Sequence, residues 1–218
     1  MSFYSVARKC LGGFFRCIYR VKVTGLENEP MEGPVIVCAN HLSNLDVIVM
    51  GAVLKRPVRF FAKAELFRYP VLKQIVKALG AVPVERQVAT NAAAAIKGTL
   101  KILEDGEVLG LYPQGTRYPG VDPRTTEIKG GVGMIAYRSK ATVLPVLVHT
   151  KSWKIKLFRR THITVGKPIP FEEFAFTAGR GAEYQRAAEY VFEKITDMIP
   201  ASVPDPRPAA PSEAGDGN

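Results

Sequence analysis

Val35-Ile36-Val37-Cys38-Ala39-Asn40-His41-Leu42-Ser43-Asn44-Leu45-Asp46-Val47-Ile48-Val49-Met50 runs from an apolar, β-branched stretch through a short polar one into a helical pattern over 44–54. A short apolar strand that leads at once into a helix suits a parallel sheet, because parallel neighbours need a crossover between them. The alternation recurs along the chain. Further β-rich runs are Val21-Lys22-Val23-Thr24, Val58-Arg59-Phe60-Phe61, Ala81-Val82-Pro83-Val84, Val108-Leu109-Gly110-Leu111-Tyr112 and Val143-Leu144-Pro145-Val146-Leu147-Val148. Helical patterns near 70–79, 90–104 and 131–139 separate them, which predicts the α/β class: a largely parallel central sheet with helices on both faces. A pair of edge strands is expected around 154–157 and 162–165. A last helix carries Tyr184, Ala187, Ala188, Val191, Ile195, Met198 and Ile199 on one face.

The 218 residues suit one domain with an extra arm or tail, and 47% hydrophobic with 23% charged content excludes a disordered, collagen-like or coiled-coil chain. A net charge of +10 points to a phosphate-rich molecule, an anionic membrane surface or nucleic acid as partner. Cys10, Cys17 and Cys38 are odd in number and lack metal-ligand spacing, so neither a disulfide framework nor a metal site is expected, and a reducing compartment fits. The longest relevant stretch free of charge, Gly33 to Leu45, has thirteen residues where a spanning helix wants about 20.

Residues 1–20 read as a basic amphipathic helix, with Phe3, Val6, Leu11, Phe14, Phe15 and Ile18 at helical spacing, Arg8, Lys9, Arg16 and Arg20 among them, and no acid before Glu27. Such a helix either docks on the core or lies in the plane of an anionic membrane. Arg16 interrupts its apolar stretch and no small-x-small cleavage site follows, so the segment is expected to be retained. Residues 21–202 then form the domain, and 203–218, rich in Pro, Ala, Ser, Gly and Asp, a disordered tail.

Chemistry points first to Asn40 through Asp46, at the strand-to-helix junction where open α/β sheets place their ligand sites. On a continuous helix His41 and Asp46 would point about 140° apart, so a direct pair needs His41 on the loop and Asp46 in the first turn. A carboxylate on one imidazole nitrogen fixes the tautomer and readies the other to take a proton. Ser43-x-x-Asp46 also reads as a helix cap, which alone accounts for Asp46. With no Gly-x-Ser-x-Gly, His41 would have to activate a hydroxyl belonging to the substrate. Gly80…Glu85-Arg86 and Tyr112-Pro113-Gln114-Gly115-Thr116-Arg117 each put an arginine just past a strand on the same sheet edge, a pairing suited to bidentate capture of a phosphate.

Gly131-Val132-Gly133-Met134-Ile135-Ala136 matches a dinucleotide motif formally, but no strand precedes it and no acid occurs from Ile128 to Phe171 for the ribose. That acid-free stretch holds nine basic residues, with Trp153 and Phe158 among them, a composition suited to headgroups or acidic partners. No nucleic-acid motif is present, so nucleic acid is not expected as a partner.

Taken together, Asn40-His41-x-x-x-x-Asp46, Gly80…Glu85-Arg86, Tyr112-Pro113-Gln114-Gly115-Thr116-Arg117 and Leu144-Pro145-Val146 resemble, in order and spacing, the four blocks of the 1-acylglycerol-3-phosphate acyltransferase family, over roughly residues 20–170. The resemblance implies transfer of a fatty acyl group from an acyl thioester, on coenzyme A or acyl carrier protein, to the free hydroxyl of a lysophospholipid, giving phosphatidic acid. No metal or bound cofactor is implied. His41 would be the general base and Asp46 its orienting partner. Arg86 and Arg117 would hold the acceptor's phosphate, Lys63 resembles a family lysine near that phosphate, and Gly115 and Thr116 would belong to the substrate-binding set. Gln114 stands where the family usually has glutamate, and is expected to lie beside the acceptor and influence its choice. The implied location is the cytoplasmic face of a membrane, peripheral or monotopic. Acylation of glycerol 3-phosphate or another lysolipid is the nearest alternative, and a non-catalytic basic lipid- or nucleic-acid-binding protein the more distant one.

Overall fold

The computed structural model describes residues 12–63, 68, 74, 82–84 and 92–206. Seven strands form one sheet: β1 (Val21–Thr24), β2 (Val35–Ala39), β3 (Val58–Lys63), β4 (Val82–Val84), β5 (Val108–Leu111), β6 (Thr142–His149) and β7 (Thr161–Val165). Their spatial order is β1-β7-β6-β2-β5-β3-β4. Strands β6, β2, β5, β3 and β4 run parallel, with Val35 beside Val108 and Thr142, and Phe61 beside Val82. β7 turns antiparallel to β6, with His149 opposite His162, and β1 lies parallel to β7. The middle strands are apolar without alternation because both faces are covered: all five residues of β2 are buried, and Ile36, Leu109, Leu144 and Ile163 are sealed from solvent.

Among the described residues the helices that follow the strands are α1 (Leu45–Val53), α2 (Ala92–Glu104), α3 (Gly131–Ser139) and α4 (Gly181–Thr196). Right-handed crossovers sort them between the faces. The β2-α1-β3 connection crosses the sheet in one direction. The β4-α2-β5 and β5-α3-β6 connections cross in the other, which puts α2 and α3 on the opposite face from α1. There α2 packs on α3, and α4 on α3 and β6. Gly133, the second glycine of the discarded dinucleotide motif, serves this packing: a Cβ would lie 2.1 Å from the Tyr184 carbonyl oxygen.

The edge pair read from the sequence needs correction. Residues 154–157 form no strand, since the Lys154 N–H is taken by Thr150 Oγ1 at 2.9 Å and only Ile155 of the four is buried. β7 is paired on both sides and β1 supplies the edge. The helix expected over 70–79 lies, apart from residue 74, outside the described residues, as do residues 1–11. Residues 12–18 are helical and end docked, with Tyr19 buried and Phe15 and Ile18 against the core. Residues 203–206 lie on the body, where Arg124 donates to the Pro204 carbonyl at 2.7 Å, and residues 207–218 lie outside the described residues. Among the described residues no helix is long and apolar enough to cross a membrane.

Candidate active site

Parallel strands deliver their carboxyl ends to one edge, and there the loops after β2 and β5 meet. Asn40 extends the β2–β6 ladder by side chain: its Nδ2 donates to the Val148 carbonyl at 2.9 Å and its Oδ1 accepts the Val148 N–H at 2.7 Å. The chain then turns and α1 begins at Leu45, with Asp46 in its first turn and fully buried. Asp46 Oδ2 accepts from His41 Nδ1 at 2.7 Å, from the Leu42 N–H at 2.7 Å and from the Ser43 N–H at 2.9 Å. The direct pair and half of the cap therefore coexist on one oxygen. Ser43 Oγ accepts from the Leu45 N–H at 3.2 Å, leaving the reciprocal half of the capping box unmade.

The imidazole is held from its face as well. His41 stacks on Tyr112 with centroids 3.9 Å apart and planes 12° from parallel, and Tyr112 stacks in turn on Phe60 at 5.7 Å. Burial, with the charge of Asp46 adding to it, pushes the Tyr112 phenol well above its usual range, so this support stays neutral. With Nδ1 committed to the carboxylate, the second ring nitrogen has no partner among the described residues, and the side chain keeps 16% of its surface open. An imidazole fixed in this way can take a proton from a hydroxyl brought to it.

Gln114 departs from expectation. Its Oε1 accepts the His41 N–H at 2.6 Å, its Nε2 donates to Thr126 Oγ1 at 2.7 Å, and Thr126 Oγ1 donates to the Pro123 carbonyl at 2.7 Å. The residue is buried with both ends of the amide engaged, so it braces the His41 loop and does not face an acceptor. Tyr118 donates its N–H to the His41 carbonyl at 2.8 Å, so the β5 loop holds the histidine's backbone at both ends. Thr126 and Tyr118 escape sequence reasoning; Tyr112 stands in the motif, but a stacking role has no signature there.

Gly115, Thr116 and Arg117 are exposed, and among the described residues no acid or hydrogen-bond acceptor engages the Arg117 side chain. Gly115 closes the turn at φ +65°, donating to the Tyr112 carbonyl at 3.0 Å. Lys63 is the last residue of β3, which brings its backbone to the same edge, while Arg86 lies outside the described residues. A groove of about 320 Å³ opens beside Tyr112 and Pro113, lined further by Ile96, Leu111, Met134 and Ile135 from α2, β5 and α3. Among the described residues no three His, Cys, Asp or Glu side chains gather where they could hold a metal ion. Trp153, read from the sequence as a surface contact, is instead buried edge-on against His149 at 4.8 Å.

At the carboxyl edge of this α/β sheet a braced histidine–aspartate pair thus stands near Arg117 and beside an apolar groove. Residues 20–149 match the family described as Acyltransferase, and the chain belongs to that family. Among its relatives is the 1-acyl-sn-glycerol-3-phosphate acyltransferase of Bacillus subtilis, 30% identical over 158 residues, covering 71% of this chain and 76% of that protein. The protein of the same description in Borreliella burgdorferi is 33% identical over 138 residues, 63% of this chain and 54% of its own length. The chain thus spans about half of one relative and three quarters of the other. In fold it is similar to the crystal structure of the 1-acyl-sn-glycerophosphate acyltransferase of Thermotoga maritima, with a TM-score of 0.65, 24% identity, and coverage of 90% of this chain and 81% of that one.

Proposed function

We propose that the chain transfers a fatty acyl group from an acyl thioester, on coenzyme A or acyl carrier protein, to the free hydroxyl of 1-acylglycerol 3-phosphate at a membrane surface. The observation that carries this reading is the His41–Asp46 pair at 2.7 Å, held through Nδ1 so that the other ring nitrogen is free. His41 takes the proton of the acceptor hydroxyl as its oxygen attacks the thioester carbonyl. The tetrahedral intermediate collapses with cleavage of the C–S bond, and the departing thiolate recovers the proton from the imidazolium. One ester forms, one thioester breaks and a free thiol leaves. No protein nucleophile is invoked: Cys38 is buried with its thiol pushed well up by desolvation, and the Ser43 hydroxyl is tied to the Leu45 N–H.

Arg117, exposed and without an acid partner among the described residues, suits the acceptor's phosphate, with Lys63 and Arg86 as companions. The apolar groove beside Tyr112 suits an acyl chain. The test is release of free thiol from acyl-CoA and from acyl carrier protein thioesters, each offered 1-acylglycerol 3-phosphate, glycerol 3-phosphate and an uncharged lysolipid. Acceptor-dependent release that favours the lysophosphatidate is expected. Release that never depends on an acceptor would defeat the reading.

A further inference from the structure

Residues 150–160 join β6 to β7, and the reversal of direction there decides where this loop sits. β6 runs parallel to β2, so its carboxyl end at His149 lies on the edge that carries His41. β7 runs back, so it starts on that edge, and because β1 is parallel to β7 the chain entering β1 arrives there too. Two bonds join these pieces, from the Phe158 N–H to the Ile18 carbonyl at 2.8 Å and from the Thr161 N–H to the Tyr19 carbonyl at 3.2 Å.

The loop is pinned rather than loose. Thr150 Oγ1 accepts the Lys154 N–H and donates to the Lys154 carbonyl at 3.2 Å, Gly120 donates its N–H to the Trp153 carbonyl at 2.8 Å, and Trp153 and Ile155 are buried. Between those anchors and β7, Leu157 and Phe158 stand 59% and 69% exposed. Phe158 adopts φ +58°, a left-handed conformation that costs a bulky residue stability. The fold therefore holds two large apolar side chains in water at its own expense. Lys151, Lys154, Lys156, Arg159 and Arg160 flank them in the chain, all exposed and, among the described residues, paired with no carboxylate.

We infer that residues 150–160 form a preformed bilayer-docking tip, in which Leu157 and Phe158 enter the headgroup layer of an anionic membrane and the surrounding lysines and arginines bind its phosphates. Apolar residues ringed by cations match an interface that is apolar below and anionic above. The tip shares its sheet edge with His41, so the surface that seats the tip also brings the site toward the bilayer. The inference rests on the reading that the acceptor is a membrane lipid. It adds a contact beside the end of the N-terminal basic segment.

The test uses the full chain and sedimentation with phosphatidylcholine vesicles, with and without phosphatidylglycerol, in the absence of thioester and acceptor. Parent protein should bind the anionic vesicles. Leu157→Ser/Phe158→Ser should lower that partitioning roughly tenfold or more while leaving the thermal transition in place. Arg159→Gln/Arg160→Gln should lose about fivefold per charge, and only on anionic vesicles. His41→Ala should bind as the parent does, whereas failed acyl transfer by parent protein that still binds the vesicles would count against the proposed reaction alone. Leu157→Ser/Phe158→Ser binding at the parent level would overturn the tip, as would a variant that keeps its vesicle binding but loses binding to acyl carrier protein in a parallel pull-down, which would mark the partner as an acidic protein.

Discussion

Residues 40–46 and 115–117 lie side by side at one sheet edge and are built in opposite ways. In the first segment the Asn40 amide, the His41 N–H, carbonyl and Nδ1, and Asp46 Oδ2 are all engaged within the chain. In the second, Gly115, Thr116 and Arg117 are exposed, and the guanidinium has no partner among the described residues. A group that performs a proton transfer must be held in place beforehand, because a misplacement of about 1 Å can cost roughly a hundredfold in rate. A group that captures a ligand must keep its bonding capacity open until the ligand arrives. On the proposed reading the two segments divide those tasks, so substitutions in them should fail differently.

The largest effect is expected at the pinned side. His41→Ala should lower kcat by about 10² to 10⁴, the contribution of a placed base, with little change in melting temperature. Asp46→Asn should lower kcat and also cost about 1 to 3 kcal/mol, because two backbone N–H groups share the lost charge. Urea unfolding beside single-substrate kinetics separates the two losses. If Asp46→Asn left stability untouched, the bracing of the loop would be misread.

Next comes Gln114. Truncation to alanine strands the His41 N–H and takes away the bond that Thr126 Oγ1 accepts, so about 1 to 3 kcal/mol of stability and roughly tenfold in kcat should go together. Gln114→Glu keeps an acceptor for the His41 N–H and should leave the ratio of kcat/KM between lysophosphatidate and other acceptors unchanged. A shifted ratio would move position 114 to the capturing side of the comparison. Arg117→Ala should do the reverse of Gln114→Ala: KM for the phosphate-bearing acceptor rises about 10- to 100-fold, in line with a lost charge-assisted bond, while the unfolding curve stays put.

The smallest effect sharpens the comparison from outside the site. Glu183, in the first turn of α4, is pinned as thoroughly as Asp46, accepting from the Thr177 hydroxyl and from the N–H groups of Thr177, Ala178 and Gly179. Led by the Thr177 hydroxyl, these bonds hold its carboxyl down to about 2, below the usual 4.5. The unfolded chain binds the extra proton between those values. The stabilisation is therefore present above about pH 4.5 and disappears as pH falls toward 2. Glu183→Gln should lower stability slightly at neutral pH, lose its effect near pH 2, and leave turnover unchanged. Measured against pH by thermal melting, it separates a pinned carboxylate that only caps from one that also orients a base.

Much of this molecule follows from local pattern. The strands at β2, β5 and β6 and the helices α1 and α3 stand where apolar runs and helical spacing put them, because burial on both faces demands uninterrupted apolar residues. The His41–Asp46 pair is legible for a related reason: its members lie five residues apart across a strand-to-helix junction, and the bend that joins them is itself encoded there. The direction of Gln114 is not legible in this way. Its partners are a backbone N–H 73 residues earlier and a hydroxyl 12 residues later, and either an inward or an outward side chain satisfies the same motif. Lys-Ile-Lys-Leu at 154–157 misleads because its alternation imitates a strand, whereas Thr150 takes the Lys154 N–H that a ladder would need.

By itself the sequence determined the α/β class, the edge on which the site forms, the histidine and its carboxylate, and the basic character of the 128–171 stretch. Each of these depends on neighbours in the chain or on composition. Only the tertiary structure decided that β7 turns back beside β6 with β1 as the edge, that Tyr112 and Gln114 brace His41 from the loop after β5, that Trp153 is buried, and that Leu157 and Phe158 face outward in a basic loop. Those outcomes turn on which distant polar groups find each other once the core has closed. Pairing of that kind leaves no period in the sequence, because the partners meet through space and not along the chain.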